Sequence, residues 1–274
     1  MKYYVMSDVH GYFSLMKQAL QENGFFEDKE PHKLILCGDM LDRGKEAVEM
    51  QEFMLNLLHN NELIFVRGNH EDLMIEMLDR FENYRWEITF GVSHHNCNGT
   101  WDSALQLSRM DEVNALRNTQ EFIYKVSESG FYKELIPASV DYFETENYIF
   151  VHGWIPCFTE DMPAWYRSKR HYKFNPGWRS SSKKEWESAR WFNGMELSEL
   201  RNIVEHGKRI VCGHWHTSYG HCWLENKCSE FGENADFSPY YGKNIIAIDA
   251  CTAHSGKVHC FVIEDRFPGF SMKA

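Results

Sequence analysis

The sequence contains no run of about 18 apolar residues, roughly the length that a helix needs to cross a bilayer. Met1 leads directly into an apolar stretch, without the charged and then apolar segments of a secretory leader. Internal repeats, low-complexity tracts and the G-x-x-x-x-G-K-S/T loop that cradles nucleotide phosphates are also missing. These absences predict a cytoplasmic protein with no membrane partner, and they argue against ATP-driven chemistry of the P-loop type.

Positive charge is scarce, because 29 Lys and Arg stand against 40 Asp and Glu and the net charge is -11. Such a surface attracts nucleic acid and anionic lipid poorly, so we expect neither as a partner. A phosphate-binding site in this chain must therefore supply its own positive charge. The eight cysteines show no paired C-x-x-C spacing, and we expect reduced, mostly buried thiols.

The 274 residues are 43% apolar and 15% aromatic, which is enough to fill a substantial core. Short apolar runs followed by polar clusters predict six buried strands: Lys2–Met6, Lys33–Cys37, Glu62–Val66, Asn147–Val151, Lys208–Cys212 and Asn244–Ile248. Helical periodicity predicts helices at Phe13–Glu22, Lys45–His59, His70–Asp79 and Glu196–His206. This alternation predicts an α/β layered fold. A last run, Lys257–Ile263, is expected to form a hairpin with Asn244–Ile248.

Two stretches break this alternation of strands and helices. We interpret both as insertions that cover the functional site, within one domain over residues 1–274. Residues 80–145 are acidic and helical in pattern, whereas residues 154–193 look loop-like and hold five of the nine tryptophans. Packing of these tryptophans is favoured over stacking on a nucleobase or peptide. The pair His94-His95 suggests a zinc site, but adjacent histidines are more typical of a polar loop.

Polar clusters follow five successive predicted strands: SDVHG, GDMLDRG, RGNHE, HG and GHWH. The carboxyl ends of strands in an open α/β sheet form the usual ligand-binding edge. Oxygen and imidazole donors there suit Mn²⁺, Fe or Zn²⁺ better than Ca²⁺ or a thiolate site. The seven candidate ligands exceed one tetrahedral site but fit two ions that share a carboxylate: Asp8, His10, Asp39, Asn69, His152, His214 and His216.

Together these clusters resemble the calcineurin-like metallophosphoesterase superfamily, and the DRG and GNHE forms resemble its phosphoprotein phosphatase branch, including small bacterial and phage enzymes. The resemblance is dense over residues 1–75 and resumes at 148–153, 208–216 and 245–251. It implies an α/β/β/α sandwich. It also implies a first metal held by Asp8, His10, Asp39 and His216, and a second held by Asp39, Asn69, His152 and His214. Ser7, Trp154 and the second histidine of GHWH depart from the branch pattern and weaken its substrate assignment.

The resemblance also implies the chemistry. Two cations about 3.5–4 Å apart lower the pKa of a bridging water, so that hydroxide attacks the phosphate ester. Arg43 and Arg67 are candidates to grip phosphate oxygens, and Asn69 is also expected to contact substrate. For the two arginines, the alternative is an ion pair with Asp42 or Glu71.

His70 resembles the residue that pairs with the aspartate of DRG, here Asp42, and donates a proton to the leaving oxygen. The alternative is a purely structural Asp–His pair. Arg190 lies where such enzymes often supply another phosphate-binding arginine, although surface exposure is the competing interpretation. Asp249 ends the sixth predicted strand near the expected site.

The leading hypothesis is therefore a phosphomonoesterase that acts on a phosphoprotein or a small phosphorylated molecule. The second is a symmetrical dinucleoside polyphosphate hydrolase, which the same centre can serve with a different pocket. The third is a metal-binding module without catalysis, and the intact set of candidate ligands argues against it. The oligomeric state is left open by the sequence.

Overall fold

A computed structural model describes residues 1–89, 94–160 and 171–266 of the protein. Its strands are β1 (Lys2–Met6), β2 (His32–Cys37), β3 (Leu63–Val66), β4 (Phe143–Glu144), β5 (Tyr148–Phe150), β6 (Cys157–Glu160), β7 (His171–Phe174), β8 (Arg209–Cys212), β9 (Tyr240–Tyr241), β10 (Ile245–Ala247) and β11 (Phe261–Glu264). Its α-helices are α1 (Phe13–Glu22), α2 (Ala47–His59), α3 (Asn69–Thr89), α4 (His94–Cys97), α5 (Thr100–Ser108), α6 (Glu112–Arg117), α7 (Thr119–Ser127), α8 (Ile136–Ala138), α9 (Lys183–Ala189) and α10 (Thr252–Ser255). Short π-helical turns cover Phe131–Leu135, Glu196–Leu200 and Gly220–Leu224, and a 3-10 turn covers Trp178–Ser180.

Two sheets form the centre of the fold. The first has the order β11-β1-β2-β3 and the second β4-β5-β8-β10-β9, while β6 and β7 form a separate hairpin. In the first sheet β1, β2 and β3 are parallel, and in the second β5, β8 and β10 are parallel. Within each sheet, the carboxyl ends of these parallel strands therefore lie at one edge, where polar loops can meet.

The layers follow from the alternation of side chains along each strand. Tyr3 and Val5 pack with Phe150, Val211 and other residues of the second sheet in one apolar cluster, so the two sheets lie face to face. Their neighbours on β1, Tyr4 and Met6, point the other way and pack with residues of α1, α2 and α3. The outer face of the second sheet packs on α9 and its flanking segments. The predicted α/β/β/α sandwich is confirmed.

The pairing of the last strand differs from the prediction. β11 does not form a hairpin with β10 but pairs antiparallel with β1, with Lys2 opposite Glu264. The antiparallel neighbour of β10 is β9 instead. The reason is that α10 and residues 256–260 carry the chain from the second sheet to the open edge of the first. The short connection between the two apolar runs suggested a hairpin, but it contains the helical turn α10 and no tight hairpin turn.

The predicted helix Glu196–His206 is also shorter than expected. Only a π-helical turn forms over Glu196–Leu200, and the chain leaves it through Asn202, whose φ of 53° is left-handed. Gly207 follows with a φ of 90°. A backbone in this region cannot continue a right-handed helix, so the segment ends there.

The two insertions have different structures. Residues 80–145 are helical as predicted, from the end of α3 to α8, although residues 90–93 lie outside the described part. Residues 154–193 are more regular than the predicted loop, because they contain the hairpin β6–β7 and α9; residues 161–170 are not described. The predicted packing of the tryptophans holds for Trp154, Trp178 and Trp186, which are buried, whereas Trp191 is 47% exposed. The fifth, Trp165, lies outside the described residues.

Two sequence-based expectations concern the environment of the chain. None of the helices in the described ranges is long and apolar enough to cross a bilayer. All eight cysteines are described, and only Cys37 and Cys212 are buried, so the expectation that most thiols are buried is wrong. The other six cysteines are exposed or partly exposed, and two of them lie in helices, Cys97 at the end of α4 and Cys222 in the π-helical turn Gly220–Leu224.

Asp28 predicts a measurable acid sensitivity of the first sheet. Its carboxylate accepts hydrogen bonds from Lys2 Nζ (2.7 Å) and Tyr4 Oη (2.8 Å), and these bonds lower the pKa of Asp28 to about 2. Because the pKa is lower in the folded state, ionised Asp28 stabilises the fold above its ordinary pKa of 3.8, and this contribution is lost as the pH falls towards 2.

We therefore expect Asp28→Asn to lower the urea midpoint at pH 7 and to differ progressively less from the parent as the pH falls from 4 towards 2. Urea titrations at several pH values measure this. The adjacent exposed variant Glu27→Gln serves as the control and should leave the midpoint almost unchanged. A stability deficit in Asp28→Asn that stays constant between pH 7 and pH 3 contradicts the assignment.

Candidate dinuclear metal centre

The loops that follow β1 and β2 are joined by backbone hydrogen bonds. The Asp8 N–H donates to Gly38 O (3.2 Å), the His10 N–H to Asp39 O (3.0 Å) and the Gly11 N–H to Met40 O (2.8 Å). These bonds extend the parallel pairing beyond the strands and satisfy backbone groups that are buried there. The two loops therefore present their side chains at the same edge of the sheet.

The backbone of this edge is unusually strained. Six residues of the predicted site have left-handed φ values: Asp8 (52°), His10 (46°), Asp39 (56°), Asp42 (78°), Arg43 (66°) and His214 (67°). Each such conformation costs about 1–3 kcal/mol in a non-glycine residue and persists only where the surrounding structure imposes it. Close approach adds a further constraint, since a Cβ at Gly213 would collide with Ser7 Oγ and Asp8 Oδ2. The strain therefore accompanies the convergence of these loops on one pocket.

Asp39 lies at the centre of the pocket and is 2% exposed. Its Oδ1 lies 3.3 Å from His152 Nε2, and its Oδ2 lies 3.8 Å from both His10 Nε2 and His70 Nε2. Donor atoms of Asp39, His152 and His214 lie within 4.8 Å of one another, and so do those of His10, Asp39 and His70. The two oxygens of one carboxylate thus face two different groups of imidazoles.

Asp8 and Asn69 complete the pocket. Asp8 Oδ1 lies 4.0 Å from His10 Nε2, and its Oδ2 accepts hydrogen bonds from the Ser7 hydroxyl and from the His214 N–H (2.9 Å). Asn69 Oδ1 lies 2.7 Å from His152 Nε2. Six of the seven predicted ligands are therefore close together: Asp8, His10, Asp39, Asn69, His152 and His214.

The second ring nitrogens show that these imidazoles suit metal ions. Nδ1 of His10 lies 3.0 Å from Leu41 O, and Nδ1 of His152 lies 2.7 Å from Cys37 O. A backbone carbonyl accepts the Nδ1–H and leaves Nε2 to face Asp39, which is the usual arrangement of metal-binding histidines. The mixture of carboxylate, amide and imidazole donors fits divalent transition metals.

The buried carboxylates of the pocket need positive charge to compensate them. Burial, with the nearby Asp39 adding to it, raises the pKa of Asp8 to about 6, and burial next to Asp8 raises the pKa of Asp249 to about 8. Burial alone lowers the pKa of His152, but Asp39 and Asp8 together raise it to about 10. Carboxylates removed from water are stable only when cations or donors compensate them. The electrostatics of the pocket therefore also fit bound cations.

His70 lies beside this pocket in the predicted pair with Asp42. His70 Nδ1 lies 2.6 Å from Asp42 Oδ2, and the same oxygen accepts a hydrogen bond from Thr100 Oγ1 (2.7 Å). Burial alone lowers the pKa of His70, but Asp39 and the hydrogen bond to Asp42 raise it above its ordinary value. The pair therefore favours a protonated imidazole whose Nε2 faces the pocket.

The model of the family described as calcineurin-like phosphoesterase matches residues 1–218. The chain belongs to this family. The resemblance inferred from the motif clusters is confirmed, and the family agrees with the predicted class of metal-dependent phosphoesterase.

The matches to curated relatives span only part of the length of those proteins. Serine/threonine-protein phosphatase 2 of Salmonella typhimurium is 28% identical over 139 residues, which are 51% of this chain and 58% of that protein. Bis(5'-nucleosyl)-tetraphosphatase PrpE (asymmetrical) of Bacillus subtilis is 30% identical over 76 residues, 26% of this chain and 31% of that protein. A crystal structure of a mutant cold-active protein tyrosine phosphatase has a TM-score of 0.50 at 14% identity, covers 96% of this chain and 75% of that one, and supports the shared fold alone.

Glu71 supports the pocket in a way that the sequence analysis missed. This fully buried carboxylate accepts hydrogen bonds from the backbone N–H groups of Gly68 (2.7 Å), Asp39 (3.1 Å) and Met40 (3.0 Å). It therefore ties the loop after β3 to the backbone of Asp39. Its position in the RGNHE cluster was a signal, but we considered it only as a partner for Arg67.

Thr100 and Ser103, at the start of α5, were also missed. Besides the bond from Thr100 to Asp42, the Asp42 N–H donates to Ser103 Oγ (2.9 Å). The helical insertion thus contacts the Asp–His pair directly. No local pattern connects residue 100 with residue 42, so the contact becomes visible only in the folded chain.

The three predicted arginines have different environments. Arg43 is exposed at the edge of the site, and among the described residues its guanidinium makes no hydrogen bond or ion pair. Arg67 donates to Ser139 Oγ (2.8 Å) and Ile136 O (2.7 Å) and lies 4.0 Å from Asp72, not beside Asp42 or Glu71 as the alternative proposed. Of these two arginines, Arg43 is the one whose guanidinium is available to a ligand.

Arg190 is 3% exposed, so the alternative of surface exposure is wrong. Its two terminal nitrogens form ion pairs with Asp72 and Asp141. A guanidinium buried at this depth needs such partners, and they occupy the atoms that a phosphate requires. Its placement differs from the predicted substrate contact.

His216 is the predicted ligand that the structure does not bring into the group. Its Nε2 lies 3.0 Å from Glu230 Oε1, and its ring stacks on Trp215 with centroids 6.1 Å apart. The placement differs from the expected metal contact because Glu230, which the motif analysis did not consider, engages this nitrogen.

Proposed function

We propose that the protein is a phosphomonoesterase with two bound metal ions, and that it acts on phosphoproteins in the manner of serine/threonine phosphatases. The observation that carries this proposal is the buried Asp39, whose two oxygens face separate groups of imidazoles. Asp8, His10 and Asp39 would hold one ion, and Asp39, Asn69, His152 and His214 the other, with Mn²⁺ favoured over Fe or Zn²⁺. When bound, the ions supply a nucleophilic water of lowered pKa and stabilise charge on the phosphoryl oxygens.

The remaining residues bind the ester and move a proton. Arg43 grips the non-bridging phosphate oxygens, since a guanidinium can donate to two of them at once. His70 donates a proton from Nε2 to the leaving oxygen, because Asp42 accepts its Nδ1–H and favours the protonated ring. Thr100 positions Asp42 and acts through it.

The distribution of positive charge supports a single phosphate over a polyphosphate chain. Arg67 and Arg190 are engaged by other groups, which leaves Arg43 as the available arginine of the three. Every further phosphate brings negative charge, and the adjoining cavity presents four carboxylates against two basic side chains: Asp72, Glu76, Asp79 and Glu187 against Arg80 and Lys183. This cavity of about 490 Å³ begins at Asn69 and runs between α3 and α9 past Trp191, and it offers room for the rest of a peptide substrate.

The second candidate, hydrolysis of dinucleoside tetraphosphates, is favoured by the similarity to PrpE. A direct comparison of a phosphoserine peptide with diadenosine tetraphosphate separates the two. We expect kcat/KM to be at least about 10-fold higher for the peptide, a difference of roughly 1.4 kcal/mol in transition-state binding. Mn²⁺-dependent turnover of p-nitrophenyl phosphate, abolished by a chelator, is the positive control and excludes a non-catalytic module.

The outcomes are distinguishable. Faster hydrolysis of diadenosine tetraphosphate contradicts the substrate while leaving the centre intact, and its products then identify the cleavage. Two ADP molecules mean symmetrical cleavage, whereas ATP and AMP mean asymmetrical cleavage. Absence of turnover with every ester, despite bound metal, contradicts the catalytic proposal itself.

A further inference from the structure

A second group of metal-binding side chains lies on α3 and α4, apart from the residues of the dinuclear centre. Glu76 sits two turns into α3, and His94 and His95 begin α4. One donor atom from each of the three falls within 4.8 Å of the others. The histidines that look like a polar loop in the sequence are therefore helical and face a carboxylate.

The spacing of these donors is close to that around a tetrahedral zinc ion. Glu76 Oε2 lies 3.6 Å from His94 Nε2 and 3.9 Å from His95 Nε2. With bonds of 2.0–2.1 Å, ligands of a tetrahedral zinc stand about 3.3 Å apart. The two distances to Glu76 exceed this separation by about 0.3 and 0.6 Å, so a modest adjustment of the side chains would bring these donors around such an ion.

His95 gives an independent indication of a ligand. The residue is 6% exposed, and its Nε2 is buried without a hydrogen-bond partner in the described part of the chain. Buried polar atoms are almost always partnered, so an orphaned nitrogen aimed at a carboxylate needs an explanation. Burial and the neighbouring His94 lower the pKa of His95 to about 4, so the ring is neutral at pH 7, as a metal ligand must be.

The carboxylate of Glu76 is already oriented for this role. Its Oε1 forms an ion pair with Arg80 one turn further along α3, and this leaves Oε2 to face the two imidazoles. When one oxygen of a metal-binding carboxylate is held by such a contact, the direction of the other oxygen, which binds the metal, is commonly fixed as well.

We propose that Glu76, His94 and His95 bind a zinc ion, with water as the fourth ligand. Two imidazoles and one carboxylate suit Zn²⁺ among the common cations. The ion links α3, which begins at Asn69 in the dinuclear centre, to α4, which leads into α5 and its contact between Thr100 and Asp42. The ion therefore stabilises the packing of the helical insertion against α3. This proposal does not depend on the proposed function.

Zinc stoichiometry tests the site. Metal-stripped full-length protein is dialysed against Zn²⁺, and bound zinc is measured by elemental analysis for the parent, His94→Ala, Glu76→Gln and the control His59→Ala. His59 forms a matched exposed pair with Glu134, 2.7 Å away, but has no third donor in the described residues. We expect the parent and His59→Ala to bind one more zinc per chain than the other two variants, in which the apparent Kd of this zinc rises by at least ~10-fold.

Thermal unfolding supplies a second readout. The His94 side chain is 53% exposed, so His94→Ala should unfold with the parental Tm in chelator and show a smaller rise in Tm when zinc is added. Equal zinc content in all four proteins overturns the proposal, and so does an equal rise in Tm. Because the test counts a difference between variants, failure of the dinuclear centre leaves it interpretable.

Discussion

Replacement of Asp39 by asparagine is expected to reduce turnover of p-nitrophenyl phosphate by at least ~10³-fold. The amide keeps the shape of the side chain but replaces one oxygen with an NH₂ group, which cannot act as a ligand. The two oxygens of Asp39 face different imidazole groups, at 3.3 Å from His152 and 3.8 Å from His10, so one substitution weakens both metal positions. Loss of a group that merely orients a metal ligand typically costs about 10–100-fold, and Asp39→Asn is expected to impose a penalty of at least roughly that size at each of two metal positions.

Elemental analysis of the same preparation separates lost metal from lost chemistry. We expect the Asp39→Asn protein to retain less metal than the parent after dialysis. Asp111→Asn is the matched control, because Asp111 is an exposed carboxylate that caps α6 and asparagine caps a helix equally well. Parental turnover with full metal content in Asp39→Asn refutes the bridging role.

Replacement of His70 by asparagine is expected to lower kcat for phenyl phosphate by about 10²–10⁴-fold while largely sparing the bound metal. His70 Nδ1 lies 2.6 Å from Asp42, and the pair raises the pKa of His70, so the protonated ring is available as an acid. Because that acid is lost as the pH rises through the raised pKa, parental activity should fall on the alkaline side. His70→Asn should lack this fall.

The leaving group distinguishes proton donation from a structural role. A nitrophenolate leaves without help, whereas phenolate needs a proton, so His70→Asn should impair phenyl phosphate far more than p-nitrophenyl phosphate. His59→Asn, at an exposed histidine, is the control. An equal loss on both esters contradicts proton donation. Loss of one metal equivalent shows instead that His70 is a ligand, which its position 3.8 Å from Asp39 allows.

Much of the centre was predictable because its signals are local. Apolar runs that end in glycine-containing polar clusters indicate strand ends, and parallel strands bring those ends to one edge. The positions of Asp8, Asp39 and Asn69 follow from this rule alone. The six predicted strands that precede the last apolar run agree with β1, β2, β3, β5, β8 and β10 to within one residue at each end. Local turns that force a left-handed backbone, as at Asp8 and Asp39, also belong to these clusters.

Other contacts depended on packing between segments that are far apart in the chain. The ion pairs of Arg190 with Asp72 and Asp141, the contact of His216 with Glu230 and the contact of Thr100 with Asp42 have no counterpart in any local pattern. A buried charge takes whichever partner the fold brings near, and the sequence around it does not name that partner.

The sequence by itself determined an α/β layered fold and six converging donors, because hydrophobic period and strand-end chemistry act over a few residues. The family and its sandwich architecture followed from the resemblance of the motif clusters. Tertiary structure alone decided which arginine stays available, how β11 returns to β1, and that His94 and His95 face Glu76. The physical reason is that a charged or polar side chain is satisfied through space, by partners that only the packed chain brings within a few ångströms.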